Sequence, residues 1–286
     1  DRSPSRGLGD VYKRQGAWRA RRASLTVQLN KFCVLPRHFL LVTREFQSQE
    51  MPPTPGMMTL VYQALRAHQP QSGRPGELMA FYNCGRISGA SQPHCHFQMV
   101  ELEQAPGTNT SVPIETLLDR IVRDGKEHEH IHMLPTPWQH FVALLQPQSM
   151  DPDALERYLA SRFTQLLDAL FREIHLAVDQ GILSPEEVPQ SRPSFNLLLT
   201  KNAMHLIPRR ADAYDMRNAQ WSPFTPGNDT PEGTGSVSVN ALGYAGLMLT
   251  RHLCELDALK DGTNERIVEV LRHTGLPVVS GTVEEP

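Results

Sequence analysis

The chain has 286 residues, 40% hydrophobic and 21% charged, which is ordinary globular usage and excludes a mostly disordered polymer. Its net charge of −3 gives no general affinity for nucleic acid or anionic lipid, and no apolar run nears the ~18 residues of a membrane span. Four cysteines, Cys33, Cys84, Cys95 and Cys254, make no C-x-x-C pair, which argues against a disulfide scaffold and for a reducing cytoplasm.

Residues 1–23 carry seven Arg/Lys against two Asp, with no apolar periodicity. They resemble translated adapter read-through more than a transit peptide, are read as non-native or disordered, and are set aside. The rest divides at the Pro-rich break 146–152 into halves, 24–150 and 151–286. Leu25, Val27 and Leu29 alternate with polar residues and predict a strand. Phe32–Leu35 and Phe39–Thr43 predict a hairpin around Pro36-Arg37-His38. Thr54-Pro55 opens a helix with Met58, Val61, Tyr62 and Leu65 on its apolar face. Strands follow at Leu78–Asn83 and His94–Val100, a short helix at Pro113–Asp124 and a strand at Trp138–Leu145.

Beyond the break, Leu155, Leu159, Phe163, Leu166, Leu170 and Ile174 mark a long helix from Asp153 to about Gln180, stopped by Gly181. A second hairpin joins Ser194–Thr200 to Met204–Pro208. Trp221–Gly235 reads as a flexible loop, with helices at Asn240–Leu259 and Thr263–His273. This order predicts an α+β fold with a mainly antiparallel sheet and flanking helices. No short repeat of fixed period is visible.

The chemistry concentrates in G-R-I-S-G-A-S-Q-P-H-C-H-F-Q, residues 85–98. In a strand, His94, His96 and Gln98 share one face and Cys95 and Phe97 the other. The Gly/Ser loop before them lets backbone N–H groups approach an anion. An H-x-H pair alone has three readings: a plain structural strand, a metal pair, or phosphoryl and nucleotidyl transfer. The loop favours the third. A second cluster, Glu127-His128-Glu129-His130-Ile131-His132, is discounted as a metal site because it sits in a loop context between Gly125 and Pro135.

The run S-G-A-S-Q-P-H-C-H-F-Q resembles the histidine-triad superfamily motif and, more closely, the branch containing ATP adenylyltransferase, also called diadenosine tetraphosphate phosphorylase. Three further blocks are similar to that family: L-N-K-F-C-V-L-P-R-H-F-L-L-V-T, S-F-N-L-L-L-T-K-N-A-M-H-L-I-P-R-R and N-A-L-G-Y-A-G-L-M-L-T. The likeness spans roughly residues 24 to 280. It implies a histidine-triad-like fold elaborated by a C-terminal half that completes the nucleotide site. It implies cleavage of diadenosine tetraphosphate by phosphate to ATP and ADP, and the reverse, through an adenylated histidine. On this resemblance His96 is the nucleophile, His94 orients the site and Gln98 donates to phosphate. Gly89, Ala90, Ser91 and Gln92 cradle the polyphosphate. Asn30, Lys31, Asn83, Ser194, Phe195, Asn196 and Lys201 contact substrate. No tightly bound cofactor or protein metal site is implied, only a divalent cation such as Mg²⁺ accompanying the nucleotide. The partners are small nucleotides and phosphate, without nucleic acid or membrane, and the oligomeric state is left open. The rivals are transfer from another nucleotide, and a non-catalytic nucleotide- or metal-binding protein.

Overall fold

The computed structural model describes residues 24–31, 33, 35, 37–70, 76–104, 107–123, 131–184, 193–224, 234–261 and 264–278. The basic segment 1–23 and most of the Glu127–His132 cluster lie outside them.

Eight strands form one antiparallel sheet: β1 (Leu25–Leu29), β2 (Phe39–Thr43), β3 (Gly76–Cys84), β4 (His96–Glu103), β5 (His132–Met133), β6 (Phe141–Leu144), β7 (Phe195–Leu199) and β8 (Ala203–Pro208). Their order is β1-β2-β4-β3-β7-β8-β6-β5. Two helices lie on one face, α1 (Pro55–Ala67) and α3 (Pro152–Asp179). Each begins with a cap and a proline: Thr54 accepts from Met57 N at 3.3 Å, and Asp151 from Ala154 N at 3.0 Å. Leu155, Leu159, Phe163, Leu166 and Leu170 of α3 are buried against Phe195, Leu197 and Leu206 of the sheet. Each such side chain contributes about 1.5–3 kcal/mol through burial.

The opposite face carries Phe81, Val100, Leu198 and Ile207 under α4 (Ala241–Ala245) and α6 (Glu265–Thr274). Two further helices are α2 (Leu118–Arg123), which extends the 3-10 turn Pro113–Leu117, and α5 (Leu253–Lys260). A small ribbon pairs β9 (Ala213–Asp215) with β10 (Ser236–Ser238).

The sheet repeats a pattern. Hairpin β1–β2, helix α1 and hairpin β3–β4 take the order 1-2-4-3, and β5–β6, α3 and β7–β8 take 5-6-8-7. The two units meet at β3 and β7, where Phe81 faces Leu198. Leu40 pairs with Gln98 in the first unit and Val142 with His205 in the second, so a pseudo-two-fold axis makes Gln98 equivalent to His205 and His38 to His140. Strands from both sides of residue 150 therefore interleave in one sheet.

Three expectations are corrected. Cys33 and Leu35 belong to the connection between β1 and β2, so the first hairpin pairs 25–29 with 39–43. The stretch 240–259 is two helices: Gly246 takes φ 100°, which ends α4 in the left-handed region. The strand drawn from Trp138 starts at Phe141, with Trp138 making only an isolated bridge to Pro277.

Candidate active site

The site grows from the point where β3 and β4 part. Their pairing ends at Phe81 and Gln98, and the side chain of Gln49 fills the gap beyond. Gln49 Oε1 accepts from His96 N at 2.7 Å, and its Nε2 donates to Asn83 O at 2.8 Å. Its backbone N–H donates to Pro93 O at 2.8 Å. One buried amide thus fastens both ends of the loop 85–93. This residue was missed by sequence reasoning, because a lone Gln in a loop carries no pattern.

Inside that loop two glycines are required by shape. Gly85 has φ 90°, and a Cβ there would stand 2.3 Å from Ser194 Oγ. Gly89 has φ 77°, and its Cβ would stand 2.4 Å from Val239 O. Ser88 Oγ donates to Gly85 O at 2.8 Å. Ala90 is half-buried, and Ser91 and Gln92 are exposed along the rim.

His96 heads β4 and is buried. Its Nδ1 lies 2.8 Å from His94 O. A carbonyl can only accept, so Nδ1 carries the proton and Nε2 keeps a free lone pair. Burial pushes the His96 pKa below the ordinary 6.5, the bond to His94 O opposes that, and the His94 ring adds to it. The ring is therefore neutral at pH 7. His94 serves through its carbonyl. Its own ring turns to Thr43 Oγ1 at 2.9 Å and Glu45 O at 3.3 Å, and packs beside Phe46.

Gln98 follows two residues on, on the same face. Its Oε1 lies 3.0 Å from His38 Nε2. His38 therefore donates from Nε2, and its Nδ1 is left to accept from Asn30 Nδ2 at 3.2 Å. The chain of bonds from Asn30 through His38 to Gln98 points the Gln98 NH₂ group away from His38 as a donor. Burial lowers the His38 pKa, the Gln98 bond opposes it, and His96 adds to the lowering. His38 was also missed, although it stands in a quoted block; a single histidine ahead of a strand gives no signal of its own. Lys31 follows Asn30 at an exposed position of the same connection.

The second half supports the loop from behind. Asn83 Oδ1 accepts from Asn196 Nδ2 at 2.8 Å and from Ala241 N at 3.0 Å. Asn196 Nδ2 also donates to Ser88 O at 2.8 Å. Ser194 Oγ accepts from Ile87 N at 3.4 Å. These groups shape the loop from its inner side.

Two of the residues expected at the substrate have side chains directed away from the His96 face. Phe195 points to the helix face, packed on Phe163 of α3, because it neighbours Asn196 on a strand and must face the other way. Lys201 lies in the β7–β8 turn, where Nζ donates to His68 O at 3.3 Å beyond the end of α1; the sheet separates it from His96. No group of three or more His, Cys, Asp or Glu among the described residues is arranged to hold a metal ion.

Comparisons with known proteins place the chain in a family. Residues 22–120 match the Ap4A phosphorylase N-terminal domain, Ap4A being diadenosine tetraphosphate, and residues 135–277 match the ATP adenylyltransferase C-terminal domain. Protein APA1 of Saccharomyces cerevisiae is 30% identical over 261 residues, covering 88% of this chain and 69% of that protein. Diadenosine 5',5'''-P1,P4-tetraphosphate phosphorylase 2 of the same yeast is 28% identical, covering 88% and 70%. The crystal structure of yeast Ap4A phosphorylase Apa2 in complex with AMP superposes with a TM-score of 0.63 at 25% identity, over 90% of this chain and 75% of that one. With two adjoining domains matched in order, the chain belongs to the Ap4A phosphorylase and ATP adenylyltransferase family.

Proposed function

We propose that this chain is a nucleotidyltransferase that cleaves diadenosine tetraphosphate with inorganic phosphate to ATP and ADP, and runs the reverse reaction, through an adenylate carried on His96. The observation that carries it is the free Nε2 of His96, fixed by the Nδ1 bond to His94 O beside a glycine-shaped loop. The relatives' names, and the AMP bound in the Apa2 structure, support the substrate class.

In the first step the Nε2 lone pair attacks the α-phosphorus. An N–P bond forms, the P–O bond to the leaving ATP breaks, and the Nδ1 proton stays on the ring, donated to His94 O. In the second, a phosphate oxygen attacks the same phosphorus, the N–P bond breaks, ADP leaves and the imidazole returns neutral. Splitting one displacement in two is what a nucleophilic side chain contributes. Backbone N–H groups of 89–92 and the Gln98 amide would hold the phosphates. Gln98 cannot take a proton from water, so anionic phosphate is the better acceptor. Mg²⁺ enters this reading only as a counter-ion of the polyphosphate. Four free cysteines fit work in a reducing cytoplasm, and no described helix is long and apolar enough to cross a membrane.

Product analysis with and without phosphate tests the reading. ADP and ATP should accumulate only with phosphate, and mapping of the enzyme under alkaline conditions, where the acid-labile N–P bond survives, should find adenylate on His96. AMP as the main product in millimolar phosphate would sink it.

A further inference from the structure

We propose that Arg209 is a positioning residue for the reaction: a buried positive charge that fixes the 85–89 loop from behind and draws the substrate's polyphosphate to it. This rests on the nucleotidyl-transfer reading above.

Arg209 is 6% exposed, and its fork joins four segments of the fold. Nη1 lies 3.0 Å from Ser88 O, 2.7 Å from Asn196 Oδ1 and 2.8 Å from Val239 O. Nε donates to Thr274 O at 3.0 Å and Nη2 to Ala211 O at 2.6 Å. The guanidinium lies 5.2 Å from the ring centre of Tyr244. Every one of these hydrogen-bond acceptors is a carbonyl oxygen, and none is a carboxylate. A buried cation is costly unless something compensates it. Here burial works against the charge, while Tyr244 and, through space, Asp212 favour it.

The neutral cage sits directly under the loop. Ser88 O, an acceptor of Arg209, belongs to the residue before Gly89, and Val239 O, another, is the atom against which Gly89 packs. Arg209 therefore sets the spacing between the loop and its floor. Its charge acts across low-dielectric protein on whatever anion the loop holds, and a ligand with more phosphates feels it more. A lysine could supply the charge but not the planar fork.

The test measures binding of AMP, ADP and ATP by calorimetry, with phosphorolysis kinetics and melting curves, for the wild type, Arg209→Gln and Arg209→Lys. Arg209→Gln should weaken ATP about tenfold or more and AMP less than about threefold, because the lost attraction scales with ligand charge. Arg209→Lys should keep the ATP-to-AMP affinity ratio within about threefold while turnover drops about tenfold or more, because three donors cannot hold all five acceptors. A folded Arg209→Gln protein with an unchanged ratio overturns the proposal. If that variant does not fold, Arg209→Lys decides: wild-type turnover, or a collapsed ratio, overturns it. Failure of the reaction reading looks different, since a wild type that binds ATP over AMP without phosphorolysis leaves the role of Arg209 standing.

Discussion

His94 and His96 carry the same side chain two residues apart, and the fold uses different atoms of each. His96 offers Nε2, while His94 offers its backbone carbonyl. Replacing His96 with Ala should cut transfer by about three orders of magnitude or more, since no other group can carry the adenylate. Replacing His94 with Ala keeps the carbonyl and should cost about tenfold at most. Single-turnover assays on both variants check this, and equal losses would count against it. The pH profile follows from the same residues. His96 and His38 both have pKa values below the ordinary 6.5. The neutral, nucleophilic form therefore persists to lower pH than in free imidazole, and the acid limb of kcat/KM should have its midpoint below 6.5. A midpoint above that value would mean a stabilising anion faces the ring. The strand that carries His96 and Gln98 on one face was legible in sequence because H-x-H-x-Q fits a period of two. The same period sets the Phe195 side chain on the face opposite Asn196.

At the level of elements, the hairpins and helices with strong periodicity were legible, among them α1, α3 and the β7–β8 hairpin. The start signal of α1, Thr54-Pro55, is local and chemical, and α3 has its counterpart in Asp151-Pro152, two residues ahead of the expected start. The helical stretch 240–259 misled because Gly246 reads equally well as a packing residue; only its φ of 100° makes it a terminator. What sequence hid was long-range. The clamp of Gln49 on His96 N and Asn83 O joins segments 34 and 47 positions apart, with no spacing rule to find them. Gln49→Leu would leave a buried N–H and a buried C=O unpaired, a loss of about 1–3 kcal/mol for each. Urea unfolding should show a stability loss of about 2–6 kcal/mol, and turnover should fall as the head of β4 loosens. A variant of wild-type stability and activity would show that water replaces the amide.

Across the whole molecule, the α+β class and antiparallel sheet were visible in element order, but the doubling was not, because the two units share topology and little sequence. The doubling accounts for a buried cluster far from the loop. His140 Nε2 lies 3.0 Å from His205 Nδ1, matching the 3.0 Å from His38 to Gln98, and His205 Nε2 lies 3.6 Å from Glu115 Oε1. His140 is fully buried, and burial, aided by His205, holds its pKa well below 6.5. Its folded pKa is depressed, so unfolding takes up a proton once pH falls below the unfolded value of about 6.5. The stability tied to a neutral His140 is complete above that pH and is lost as pH falls toward the folded value. Melting temperature should therefore decline from pH 7 to pH 5, and His140→Phe should flatten the decline. An unchanged slope would place the acid sensitivity elsewhere.

Joining the two units in one chain frees them from copying each other. In a two-fold dimer of identical subunits every substitution appears twice, so a residue that suits one site must suit both. Here β8 begins with Ala203 where β4 begins with His96, and the turn at 200–202 stands where the other unit carries the loop 85–93. The second unit has no histidine at the position of His96. Asn196 and Arg209, which it supplies, brace the working loop from below instead. Two equivalent folds have thus diverged: one holds His96 and the glycine-shaped loop, and the other serves as the loop's foundation.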